Sequence, residues 1–185
     1  MDFKELERLM NRKAKEIRAY ANARFPAQAG NAAIRFINGN FRAQGWQGRT
    51  FQKWKPNSRR GRVLVKTGHL RSATYYVTGV AKVIVRNTMP YAAIHNQGGT
   101  LNIPVTDKMR RYAWAMYYRQ GGGKKKGGNS RQAGKWKGLA LTKKTFLNIK
   151  IEQRQFAPTP SSPSPVLEKA IKRNIERELK RIFTN

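Results

Sequence analysis

Residues 68–98 read GHLRSATYYVTGVAKVIVRNTMPYAAIHNQG, and this stretch decides the fold class. Residues 75–78 and 82–87 are β-branched and aromatic runs joined through Gly79-Val80-Ala81, the pattern of an antiparallel hairpin. A helical turn around 68–73 leads into the hairpin, and Met89-Pro90 ends it. Residues 91–96 then read as one further helical turn, stopped by Gly98-Gly99.

Working outward, the flanks are helical. Towards the amino terminus, Phe3, Leu6, Met10, Ala14, Ile17 and Ala21 recur at three- and four-residue steps, which predicts an amphipathic helix over 3–22 capped by Asp2. Arg24-Phe25-Pro26 is expected to break it, because the residue before proline is pushed out of helical geometry. A second helix over about 28–42 buries Ala33, Ile37 and Phe41. Residues 44–66 fit neither period and read as an exposed basic loop carrying Trp46, Phe51 and Trp54. Towards the carboxy terminus, 101–104 and 146–151 read as short strands. Thr106 caps a helix over about 107–119 with Met109, Tyr112, Ala113 and Met116 on one side, 120–134 is a low-complexity loop, and 136–141 makes a helical turn. After a proline-rich connector, Ser164 caps a last helix whose stripe is Leu167, Ile171, Ile175, Leu179 and Phe183. The expected fold is α+β: one domain over 1–185 with a small, mainly antiparallel sheet packed with long terminal helices and long basic loops. An inserted helix and flexible loop occupy about 105–145.

Charge is the dominant compositional feature. The chain has 185 residues, with 39 Lys and Arg against 9 Asp and Glu, a net charge of +30. Residues 1–16 hold five basic and four acidic side chains, and residues 152–185 hold seven and four. The middle, 17–151, holds 27 basic residues and one acid, Asp107. Such a block repels itself and calls for a polyanion or an acidic partner surface. Four Trp, seven Tyr and eight Phe supply the apolar surface that a disordered polycation lacks. With no Cys, disulfides and thiolate metal sites are excluded. No apolar run approaches a membrane span and no signal-peptide core follows Met1, so a soluble protein made inside the cell is expected, with no membrane partner.

Enzyme chemistry finds little material. His69 and His95 are the only histidines and neither lies in a metal-binding spacing. Acid–base or two-metal hydrolysis needs several converging carboxylates, and the central region has only Asp107. No Gly-x-Ser-x-Gly elbow occurs, and the glycines before Lys124 follow a helix instead of opening one, unlike a phosphate loop. No catalytic residue, cofactor or metal is expected. Two basic clusters with neighbouring Trp fit phosphate contact that does not read base sequence: Arg59, Arg60, Arg62 and Lys66 beside Trp46 and Trp54, and Lys124, Lys125, Lys126 and Arg131 beside Trp136.

Three stretches carry a family resemblance. Residues 64–72, LVKTGHLRS, are similar to a "(S/T)-G-x-L-R-x-S" segment, and residues 91–98, YAAIHNQG, to a "Y-A-x-x-H-x-x-G" turn. Residues 153–156, QRQF, are similar to an Arg-Pro-Phe segment before a final helix, with Gln155 in place of the proline. In this order, around a hairpin and with Trp54-Lys55-Pro56 ahead of them, they resemble the phage virion morphogenesis family, the tail-completion and neck proteins of tailed bacteriophages. The fold-motif residues that the resemblance picks out are Gly68, Leu70, Arg71, Tyr91, His95, Gly98, Arg154 and Phe156. Read from their chemistry, Gly68 and Gly98 permit tight turns, Leu70 is core, Arg71 and Arg154 hold a bend, and His95 is structural.

The resemblance implies a structural protein of the virion, made in the host cytoplasm and located at the head–tail junction or the top of the tail. It implies a ring of six or twelve copies of this chain around the DNA channel, contacting neck, portal-side or tail-tube proteins. A DNA-bearing channel accounts for the +26 of the central block. The other reading left open is a protein that binds nucleic acid without sequence preference.

Overall fold

The computed structural model describes residues 2–57, 61–123 and 131–184. The protein is α+β, with long helices at both termini and small antiparallel ladders between them. Its described strands form three separate two-stranded ladders, not one sheet. The chain divides into two compact units, Met1–Gly98 with Glu152–Asn185, and Gly99–Ile151. The expected insertion at about 105–145 falls inside the second unit, which also carries a ladder of its own.

In the first unit, α1 (Phe3–Ala19) and α2 (Phe25–Ala43) are joined by a π-helical turn, Tyr20–Arg24, without the break expected at Pro26. Proline lacks an N–H and its ring crowds the carbonyl four residues earlier. The widened turn relieves that crowding: the Phe25 N–H reaches the Tyr20 carbonyl and Pro26 enters the first turn of α2. The helix therefore runs on through its proline.

Residues 44–66 are a second correction. β1 (Gly45–Gln47) pairs with β2 (Phe51–Lys53), Trp46 opposite Gln52, and the expected exposed tryptophans are core. Trp46 is 3% exposed and Trp54 5%. Trp46 meets Phe36 edge-on at 5.5 Å, and Phe41 meets Trp54 at 5.5 Å and Phe156 at 5.3 Å. Each such ring pair adds about 0.5–1.5 kcal/mol beyond the burial of its area, enough to fold a basic segment back onto α2. The end of α2 is capped by the same segment: Arg62 donates to the carbonyls of Phe41 and Arg42 at 3.0 Å each.

A short helix, α3 (His69–Ser72), precedes the hairpin of β3 (Thr74–Gly79) and β4 (Lys82–Asn87), which Val80 and Ala81 close. The hairpin packs on α2 where Gly30 leaves room for it, since a Cβ there would stand 2.4 Å from the Tyr76 ring. α4 (Ala92–Gln97) follows. The last helix, α7 (Pro165–Thr184), lies on α1 and α2. Ser164 caps it, accepting from the Leu167 N–H at 3.3 Å while donating to the Gln47 carbonyl at 2.7 Å. Lys13 bonds to the Ile182 carbonyl, and Arg24 pairs with Glu178 at 3.1 Å. Lys13 thus lies level with the last turn of α7, and most of α1 before it is exposed. Phe3 is 78% exposed, Met10 57%, and Leu6 is exposed too, although the sequence pattern placed all three in a core stripe.

In the second unit, β5 (Gly99–Pro104) pairs with β6 (Phe146–Ile151), Gly99 opposite Ile151 and Pro104 opposite Phe146. Thr106 caps α5 (Asp107–Arg119), its hydroxyl accepting from the Met109 N–H at 3.2 Å. α6 (Arg131–Ala140) is longer than the turn expected at 136–141 and starts inside the expected loop over 120–134. Buried Ala113, Ala133 and Ala140 let α5 and α6 approach closely, and Arg110 ties them by donating to the Ala140 and Thr142 carbonyls. Tyr112, expected on the packed side of α5, faces outward instead.

Candidate functional site

Two of the motif stretches, 91–98 and 153–156, meet in one hydrogen-bonded junction of the first unit, and the third, 64–72, adds Leu70 to the apolar cluster beside it. Two buried amides hold it. The Asn96 side chain, on α4, accepts the N–H groups of Phe156 and Ala157 at 2.9 Å each and donates to the Ala157 carbonyl at 3.2 Å. Asn40, fully buried on α2, donates to the Phe156 carbonyl at 3.0 Å and accepts from the main chain and side chain of Gln47. The Trp54 indole donates to the Gln155 carbonyl at 2.9 Å. Gln155, at the position where the resembling family carries proline, is itself buried and donates to the carbonyls of Ala157 and Ser162. Its amide therefore fixes the turn that a pyrrolidine ring would otherwise stiffen.

The motif residues surround this junction. Arg154 donates from its main chain to the His95 carbonyl at 2.8 Å and from its guanidinium to the Lys55 carbonyl at 3.2 Å. Phe156 is buried against Phe41. Gly98 sits at φ 73°, where a Cβ would stand 3.0 Å from the Gln153 N and Cβ, so both its conformation and its space favour glycine. Gly68, at φ 80°, opens α3, on which Leu70 is buried and Arg71 donates to the Asn38 side-chain Oδ1 at 2.8 Å. Tyr91 sets its ring edge-on to His95 at 5.9 Å.

His95 has the one notable electrostatic setting in the junction. Its Nδ1 is buried and has no hydrogen-bond partner among the described residues. Burial, with the Arg154 guanidinium as a lesser contributor, holds its imidazole below the usual histidine range, so the ring is neutral near pH 7. It faces a cleft of about 450 Å³, also lined by Arg62, Lys66, Thr67 and Tyr91. Among the described residues no three His, Asp or Glu side chains gather where they could hold a metal. No helix among them is long and apolar enough to cross a membrane.

Of the basic residues singled out in the sequence, Arg59, Arg60, Lys124, Lys125 and Lys126 lie outside the described residues. Arg62 is exposed but bonded to the end of α2, and Arg131 is the exposed first residue of α6. Sequence reading missed Asn40, Asn96 and Gln155. One signal was available for Asn40, which interrupts the apolar series Ala33, Phe36, Ile37 and Phe41 at helical spacing, where only a bonded amide is tolerated.

Comparison with known proteins returns nothing. The chain matches no family model, no curated protein and no solved structure.

Proposed function

We propose that this chain is a structural subunit of the virion at the phage head–tail junction, assembling as a ring that completes the tail or joins it to the head around the DNA channel. It carries no chemistry of its own. The observation behind this reading is the junction itself: two of the stretches that resemble the family bond one another between residues 57 to 61 positions apart, through main-chain and amide groups.

Assembly needs a contact surface, and α1 offers one. Phe3, Leu6 and Met10 form an exposed apolar face, on a segment whose net charge over residues 1–16 is only +1. In a chain of +30, that is where two copies can meet with little repulsion. For a ring, this face of one copy meets a different surface of the next, a head-to-tail contact that closes when its rotation allows. Native mass spectrometry of the full chain tests this: the expected result is a closed ring of six or twelve copies, reduced to monomers by Phe3→Glu with Met10→Glu. A chain that stays monomeric even in the assembled particle would sink the reading. The nucleic-acid alternative is favoured by a different observation, in the second unit.

A further inference from the structure

We infer that the outward face of α5 in the second unit is a binding surface for the phosphodiester backbone of nucleic acid. The exposed residues of this helix are Asp107, Lys108, Arg111, Tyr112, Ala115, Tyr118 and Arg119, which recur at helical spacing along one side. Apart from Asp107 at its start and Ala115, the face is made only of cations and tyrosines. Between Lys108 and Arg119 it runs about 16 Å, the length of roughly five phosphates along one strand.

Two features mark this face as more than a solvated surface. The first is field strength. The unit spanning 99–151 holds thirteen Lys and Arg and one acid, +12 over 53 residues, against +18 over the other 132. The described ion pairs all lie in the first unit, so none of them neutralises this face. The second is the aromatic content. Tyr112 is 57% and Tyr118 63% exposed. The Tyr118 ring is held in place by stacking on Trp114, at 6.0 Å and 24°, and Tyr112 is braced edge-on by Trp136 at 5.8 Å. Rings fixed between cations suit a polyanion that also carries planar bases: hydroxyls donate to phosphate oxygens, and ring faces accept unpaired bases. With no acceptor-rich side chain on the face besides Asp107, contact is with the backbone and independent of base sequence.

The inference does not rest on the ring reading, because binding can be measured on the free chain. The test is fluorescence anisotropy of the full chain with a labelled oligothymidylate and with a labelled duplex of equal length, each titrated over a series of salt concentrations. The triple variant Lys108→Gln, Arg111→Gln, Arg119→Gln should lower the salt slope by about 3 on the duplex and weaken binding about tenfold or more at low salt. A charge-matched variant on α7, Lys169→Gln, Arg173→Gln, Lys180→Gln, should keep the slope within about 1 of the parent. Tyr112→Ala with Tyr118→Ala should weaken the single strand about fivefold or more while leaving the duplex slope unchanged. All substituted positions are exposed, so circular dichroism should report an unchanged fold. Failure of the parent to bind either probe would overturn the inference, as would equal losses in the α5 and α7 variants. Either failure leaves the ring reading standing, because native mass spectrometry on the same variants reports assembly separately.

Discussion

The two units use their aromatic residues differently. The first buries a cluster of them, Phe36, Phe41, Trp46, Trp54 and Phe156, with buried asparagines saturating the chain around it, although others such as Phe3 and Phe51 are exposed. The second buries alanines between α5 and α6 and leaves Tyr112 and Tyr118 outside among cations. The same composition, basic and aromatic, thus makes a scaffold in one place and a surface in the other. What decides between them is the neighbouring sequence. Trp46 and Trp54 belong to a short ladder segment that folds onto an apolar helix face, whereas α5 meets α6 through buried alanines and keeps Tyr112 and Tyr118 exposed.

That contrast can be broken at several points. The largest effect is expected from Phe41→Ala, which removes the ring shared by Trp54 and Phe156 and should cost about 3–5 kcal/mol in urea unfolding. A cost no larger than that of a surface change would mean that the cluster does not hold the first unit together. Next comes Asn96→Ala, which strips the N–H groups of Phe156 and Ala157 of their acceptor, at about 1–3 kcal/mol for each group left buried and unpaired. Hydrogen exchange should show those two amides losing protection first. Ser164→Ala removes the cap of α7 and the bond to Gln47, with an expected loss of about 1 kcal/mol by the same unfolding assay.

The smallest effect is a pH dependence. His95 is held neutral in the folded chain, so the unfolded chain binds the proton more readily, and stability falls as the pH drops through the ordinary histidine value of 6.5. Above that value both states are neutral and the dependence disappears. His95→Gln should flatten the pH profile of the unfolding midpoint on the acid side. An unchanged profile would assign the dependence to another group.

Much of this architecture was legible in the sequence, and the failures share a cause. The hairpin of β3 and β4, the Thr106 and Ser164 caps and the outer helices follow from local chemistry, and local chemistry is what a sequence displays. Pro26 misled because a π turn, formed by main-chain geometry alone, accommodates the ring. Trp46 and Trp54 misled because their burial depends on Phe36 and Phe41, ten and thirteen positions away. Phe3, Leu6 and Met10 misled in the other direction: their periodicity is that of a buried stripe, yet all three are exposed. The junction was visible as separate motifs, while the amides joining it were not, since nothing local to Asn96 marks it as the acceptor for residues 60 and 61 positions later.

The central claim is that this chain is a ring-forming structural subunit, and its position in an assembled particle tests that most directly. Cryo-electron microscopy of tailed particles containing the chain should show a closed ring of six or twelve copies at the head–tail junction, with α1 of each copy against its neighbour. Particles complete without the chain, or carrying it only as isolated monomers, would contradict the account.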